Sequence, residues 1–247
     1  MNNFITTLLA FINNPDIKDT NYRIALCLLN HCLDFNQMTI QKIAEESYVS
    51  ISTVNRFIGQ YGFKKYSVFR QRYLSHLQIR HSQMLKRLEA KKAYKPVFRA
   101  LMKDYGLIND ELINLCCQFI HESHQIILIG SDEMCYATLR FQGDFYMMGK
   151  KVIKISLFEE EHIIFDDSDF VLFFSMNGNL LDYKASLLPK FLTCSAKVFF
   201  ITKTVIPDAK YVLHIPNHVD EVIENMALDY YMQEILYTYM EKYYVNR

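Results

Sequence analysis

No apolar run in this chain approaches the ~20 residues needed to cross a bilayer, so an integral membrane protein is not expected. There is no internal repeat and no low-complexity tract, which argues against a solenoid or a disordered linker protein. The six cysteines, Cys27, Cys32, Cys116, Cys117, Cys135 and Cys194, include no C-x-x-C pair and no second pair at zinc-site spacing. Adjacent Cys116 and Cys117 sit on an apolar segment and read as core. His121 and His124 stand three apart but lack a third ligand, so no metal and no cofactor are expected. Met1–Ile12 lacks a basic start and a small-residue cleavage site, so a reducing cytoplasm is the expected location. Net charge is also missing: 27 basic residues balance 27 acidic ones.

What is present is a globular balance, 51% hydrophobic and 22% charged over 247 residues, enough for one large domain or two smaller ones. The zero net charge conceals an asymmetry. Met1–Lys92 carries 13 Lys and Arg against 6 Asp and Glu, a net of +7, and the remainder carries the compensating −7. A basic first third concentrates near polyanions, of which nucleic acid is the usual one, although a solvated basic helix face has the same composition.

Apolar periodicity divides the chain in the same place. Phe4, Leu8, Phe11 and Ile12, then Ile24, Leu28, Leu29 and Cys32, recur at helical spacing. A long helix is expected from Tyr66 towards Leu88, and the basic stretch Ala90–Pro96, ending in proline, reads as a boundary. Beyond it lie five short apolar runs: Gln125–Ile129, Lys151–Ile155, Phe170–Phe174, Lys197–Thr202 and Tyr211–Ile215. Such runs suit strands buried on both faces. Helical stretches at Ser131–Met148 and Leu181–Leu192 alternate with them, and a last one spans Asp220–Tyr244. The expected architecture is α + α/β: an all-helical domain over 1–90, a linker over 91–105, and a parallel five-stranded α/β sandwich over 106–247.

Met38–Phe63 reads as a helix-turn-helix. Thr39 caps a short helix, Ile40–Glu46, with Ile43 and Ala44 facing inwards. Tyr48-Val49 forms the turn, with Val49 plugging the core, and Ser50 caps a second helix whose buried face holds Val54 and Phe57. A turn of this kind often carries glycine because it needs positive φ; Tyr48 occupies that neighbourhood here. Ser50, Ser52, Thr53, Asn55 and Arg56 cluster in the first turns of the second helix, the part that enters the major groove in such proteins. Arg suits guanine and Asn suits adenine, while Lys64 and Lys65 suit phosphates. An ion pair of Arg56 with Glu45 or Glu46 is the alternative for that residue.

Ser50-Ile-Ser-Thr53-Val-Asn-Arg56-Phe57, with Tyr61-Gly62-Phe63-Lys-Lys-Tyr66-Ser-Val-Phe69 just beyond it, resembles the DNA-binding domain of RpiR-type regulators. The rest of the chain resembles their sugar isomerase (SIS) domain. The resemblance implies a homodimer or higher oligomer that binds double-stranded DNA and senses a sugar phosphate held by two loops. The first loop here is Gly130-Ser131-Asp132-Glu133-Met134. The second is Ser175-Met176-Asn177-Gly178-Asn179-Leu180. Ser175 and Gly178 keep the family pattern, whereas Asn177 and Leu180 replace a serine and a threonine. Ser131, Ser175, Asn177 and Gly178 are the expected effector-binding residues, and an ordinary strand-to-helix turn is the alternative for Asn177–Asn179. Two rivals stay open. One keeps DNA binding but makes the SIS domain a dimerisation scaffold only. The other is an active isomerase using His218, Glu221 or Glu224 as base, which the expectation of a non-enzyme sets aside.

Overall fold

The computed structural model describes residues 4–14, 19–130, 135–156, 165–175, 188–215 and 221–245. The chain forms two compact units, Met1–Arg87 with Gly143–Lys151, and Leu88–Gln142 with Val152–Arg247.

The first unit is helical: α1 (Phe4–Ile12), α2 (Thr20–Asn30), one 3₁₀ turn (Phe35–Gln37), α3 (Ile40–Glu46), α4 (Ile51–Gly59) and the beginning of α5 (Tyr66–Asp104). Asp19 starts α2 by accepting the N–H groups of Asn21 and Tyr22 at 2.8 and 3.0 Å. Ile5, Leu8, Ile24, Leu28, Ile43, Val54 and Phe57 form the core. Aromatic rings extend it, with Phe69 stacked on Tyr73 at 5.6 Å and Phe35 edge-on to Tyr73 at 4.5 Å. The Tyr73 hydroxyl donates to the Leu28 carbonyl at 3.1 Å, so this buried polar group is satisfied.

Residues 143–151 also belong to this unit. Gly143 lies so close to Ile5 that an added Cβ would stand 3.1 Å from its methyl group. Asp144 is fully buried and bridges Arg80 at 3.1 Å and Arg87 at 2.5 Å.

The expected end of the long helix near Leu88 is corrected by the structure. Helix α5 continues to Asp104, with Pro96 inside it. Proline removes one backbone hydrogen bond, and side-chain ties on either side offset that loss. Lys91 and Lys95 both pair with Glu234, at 3.3 and 3.2 Å, and Arg99 makes two hydrogen bonds to Asp110.

The second unit contains a five-stranded parallel sheet, β1 (Gln125–Gly130), β2 (Lys151–Ser156, whose first residue belongs to the first unit), β3 (Asp169–Ser175), β4 (Lys197–Thr202) and β5 (Val212–His214). Their order is β2-β1-β3-β4-β5. Each apolar run of the sequence became a strand, as the expected α + α/β class requires. Alternation explains why the runs are continuous. Ile127, Ile129, Val171, Phe173, Val198 and Phe200 enter one core with Phe191 of α8 (Leu188–Thr193). The residues between them, Ile126, Leu128, Phe170, Leu172 and Phe199, are buried too. Helix α6 (Asp110–Glu122) meets α9 (Glu221–Tyr239), where the Cys117 thiol donates to the Ile235 carbonyl at 3.3 Å. Helix α7 (Cys135–Met147) connects β1 to β2.

Candidate nucleic-acid interface and effector crevice

Helix α3 begins where the Thr39 hydroxyl accepts the Lys42 N–H at 3.2 Å, and Ile43 and Ala44 are buried beneath it. It ends in a paired closure: the Val49 N–H reaches the Ala44 carbonyl at 2.9 Å and the Tyr48 N–H reaches Glu45 at 3.0 Å. This motif puts its penultimate residue in the left-handed region, a place glycine usually takes. Tyr48 holds it here, at φ 54°, with its side chain 83% exposed.

Helix α2 braces that turn. The Arg23 guanidinium donates to the Tyr48 carbonyl at 3.4 Å, and the buried Ser47 hydroxyl donates to the Arg23 carbonyl at 3.5 Å. Neither residue was singled out from sequence, since the contact joins positions about 25 apart. Val49, expected as a core plug, is only half-buried. Ser47, two residues before it, is buried instead, with the left-handed Tyr48 between them.

Helix α4 starts at Ser50, whose hydroxyl accepts the Thr53 N–H at 3.2 Å and also meets the Ser52 and Thr53 hydroxyls at 2.8 and 2.9 Å. Val54, Phe57 and Ile58 face the core. Ser52, Asn55 and Arg56 are exposed, and Thr53 is half-buried. The alternative partner for Arg56 is absent: Glu46 is engaged by His31 at 2.6 Å, and among the described residues Arg56 pairs with neither Glu45 nor Glu46. Gly62 closes α4 at φ +82°, and exposed Lys64 and Lys65 precede α5. The Tyr66 hydroxyl donates to the Met38 carbonyl at 2.9 Å, and Phe63 packs edge-on against Phe69 at 5.5 Å. The aromatic anchors of the tract therefore fix the basic loop on the helix pair.

In the second unit, the strand order determines where a ligand can lie. From β1 the chain moves to β2 on one side and then to β3 on the other, so the sheet opens between the carboxyl ends of β1 and β3. Gly130 ends β1, where an added Cβ would stand 3.0 Å from the Phe174 Cβ. Ser175 ends β3, in register with Thr202 of β4. Ser131, Asn177 and Gly178, the other expected effector residues, lie outside the described residues, as does His218. Glu221 is exposed at the start of α9, and Glu224 is ion-paired with Lys203. His121 stacks on Tyr243 at 4.1 Å.

No family model and no curated protein matches the chain. Among solved structures, it is similar to the Vibrio vulnificus NanR protein complexed with ManNAc-6P, at 16% identity and TM-score 0.46, over 97% of this chain and 92% of that one. It is also similar to the sugar isomerase domain of an RpiR transcription factor from Sphaerobacter thermophilus, at 12% identity and TM-score 0.45, over 61% of this chain and 89% of that one. A hypothetical protein from Methanococcus jannaschii, whose structure infers a 3-hexulose-6-phosphate isomerase, aligns at 15% identity and TM-score 0.41, over 54% and 78% of the two chains.

Proposed function

We propose that this protein is a transcriptional regulator that binds double-stranded DNA through α4, as a homodimer or higher oligomer, and senses a sugar phosphate in its C-terminal domain. One observation carries the reading: α4 buries Val54, Phe57 and Ile58, and its exposed face bears Ser52, Asn55 and Arg56 with no ion pair to Arg56 among the described residues. A cation and an amide left unpaired on an exposed helix face suit base edges. Lys64 and Lys65 flank them and suit phosphates. Ser50 serves as the cap and contributes through the hydroxyl cluster it shares with Ser52 and Thr53.

The effector part of the reading rests on the crevice between β1 and β3. Ser175 stands at its rim, and Ser131, Asn177 and Gly178 adjoin the same strand ends in sequence. The reading places the protein in the cytoplasm, as a regulator of carbohydrate metabolism without catalysis of its own. Among the isomerase candidates, Glu224 is held in an ion pair with Lys203.

The test is binding of the purified protein to DNA fragments from around its own gene, at fixed salt, with and without a panel of sugar phosphates. Specific binding that shifts with one ligand supports both parts. Specific binding indifferent to every ligand leaves the C-terminal domain as a scaffold, and binding no tighter than to unrelated DNA rejects the regulator.

A further inference from the structure

Among the described residues one group of side chains brings three different metal-type donors together, and it lies in the helical unit: Cys27, His31 and Glu46. The thiol sulfur, one imidazole nitrogen and a Glu46 carboxylate oxygen all lie within 4.8 Å of one another. The sulfur is 3.9 Å from Glu46 Oε2, and Nε2 is 2.6 Å from the same oxygen. The other ring nitrogen, Nδ1, meets an Asp34 carboxylate oxygen at 2.9 Å. We propose that Cys27, His31 and Glu46 bind a divalent transition-metal ion of the zinc class, with Asp34 as the residue that orients the histidine.

Four physical points support this. First, the spacing is close to what tetrahedral coordination requires. With metal bonds of about 2.0–2.3 Å, ligand atoms stand roughly 3.3–3.6 Å apart. The carboxylate must therefore move away from Nε2 and slightly towards the sulfur. Glu46 ends α3 with a side chain 47% exposed, so it has the freedom to do so. Second, one thiol, one imidazole and one carboxylate suit zinc, cobalt or nickel and not magnesium or calcium, which take oxygen ligands alone. Third, a carboxylate on the far ring nitrogen is the usual outer partner of a metal-bound histidine, because it fixes the tautomer and raises the basicity of the ligating nitrogen. Fourth, three protein donors and a partly exposed edge leave a position for water and a path of entry.

Binding is coupled to proton release. Without metal, the thiol keeps its proton, since burial pushes its pKa up to about 11. Burial alone would lower His31, but its hydrogen bonds to Glu46 and Asp34 outweigh that and hold its pKa above the ordinary value. Metal binding forms bonds to the thiolate and to Nε2, and releases one proton from the thiol and a second from any imidazolium. The bound ion would join the end of α2 to the last residue of α3, directly before the turn that Arg23 and Ser47 brace. Metal binding here does not depend on DNA binding.

The experiment is a Co2+ titration of the full chain, kept reduced with a non-thiol reductant, followed by Zn2+ competition. The expected result is one Co2+ per chain, with a thiolate-to-cobalt charge-transfer band and the strong visible absorption of four-coordinate cobalt, both erased by Zn2+. Cys27→Ser should lose the charge-transfer band, and Cys194→Ser should keep it. Asp34→Asn, a surface change that leaves the core intact, should weaken Co2+ binding roughly 10–100-fold. Absence of the thiolate band in the unaltered protein, or its persistence in Cys27→Ser, overturns the site. Unchanged affinity in Asp34→Asn overturns the role given to that residue.

Discussion

Replacing Tyr48 with glycine should make the protein more stable, although it removes a large side chain from a hydrogen-bonded turn. Tyr48 closes α3 at φ 54°, where a Cβ crowds the following carbonyl at a cost of about 1–2 kcal/mol. Its ring is 83% exposed, so truncation forfeits only about a sixth of the ~2 kcal/mol that burying a large side chain contributes, or ~0.3 kcal/mol. Glycine adds unfolded-state entropy, a loss of about 0.4–1 kcal/mol. The balance is a gain of about 0.5 kcal/mol. A second variant isolates the strain. Tyr48→Ala loses the same ring and keeps the Cβ, so it should be less stable than Tyr48→Gly by about 1 kcal/mol. Both variants retain the backbone carbonyl that accepts from Arg23. Urea unfolding of the three proteins side by side measures the difference, and thermal melts should place the glycine variant ~2–4 °C above the alanine one. An alanine variant as stable as the glycine variant would refute the claim that the turn is strained.

The packing and the charges lead to three further substitutions. Asp144→Ala should destabilise the helical unit by about 3–5 kcal/mol, because it leaves Arg80 and Arg87 without their buried counter-charge; chemical denaturation checks the loss. Gly130→Ala should cost about 1–3 kcal/mol, since its Cβ would press on Phe174 and part β1 from β3, and the thermal midpoint should fall accordingly. His31 has a pKa raised above its ordinary value by Glu46 and Asp34, against the opposing effect of burial. Its stabilising pairs are therefore at full strength below the unfolded pKa of about 6.5 and are lost as pH rises through the higher folded value. Melting temperatures between about pH 5.5 and 8.5, with a chelator present, should show that decline. His31→Gln should remove this component, and an unchanged pH profile would contradict it.

The three central strands, β1, β3 and β4, were legible because each is buried on both faces, so continuous apolar runs mark them without alternation. The helix pair α3 and α4 was legible through its caps, Thr39 and Ser50, and through buried Ile43, Ala44, Val54 and Phe57. The same local signals misled at two points. Pro96 reads as a stop, but the residues that hold α5 together around it include Glu234, which lies far away in the chain. Val49 reads as a plug, but Ser47, on the other side of the left-handed Tyr48, is buried instead. Other features had no local signal. The embedding of Asp144 in the helical unit depends on two arginines more than 50 residues upstream. The crevice between β1 and β3 depends on strand order, which only non-local pairing sets. Cys27 and His31 sit four apart on one helix face, a spacing that suggests ligands, yet Glu46 reaches them from a different helix.

Whether α4 reads DNA is decided by comparing the unaltered protein with Arg56→Ala on a fragment it binds specifically and on unrelated DNA, across a salt series. A base-reading arginine contributes ~1–3 kcal/mol, so specific binding should weaken roughly 5- to 150-fold with little change on unrelated DNA. Lys65→Ala should instead weaken both and lower the salt slope by about 1. Full retention of affinity and selectivity by Arg56→Ala would rule out base reading by Arg56.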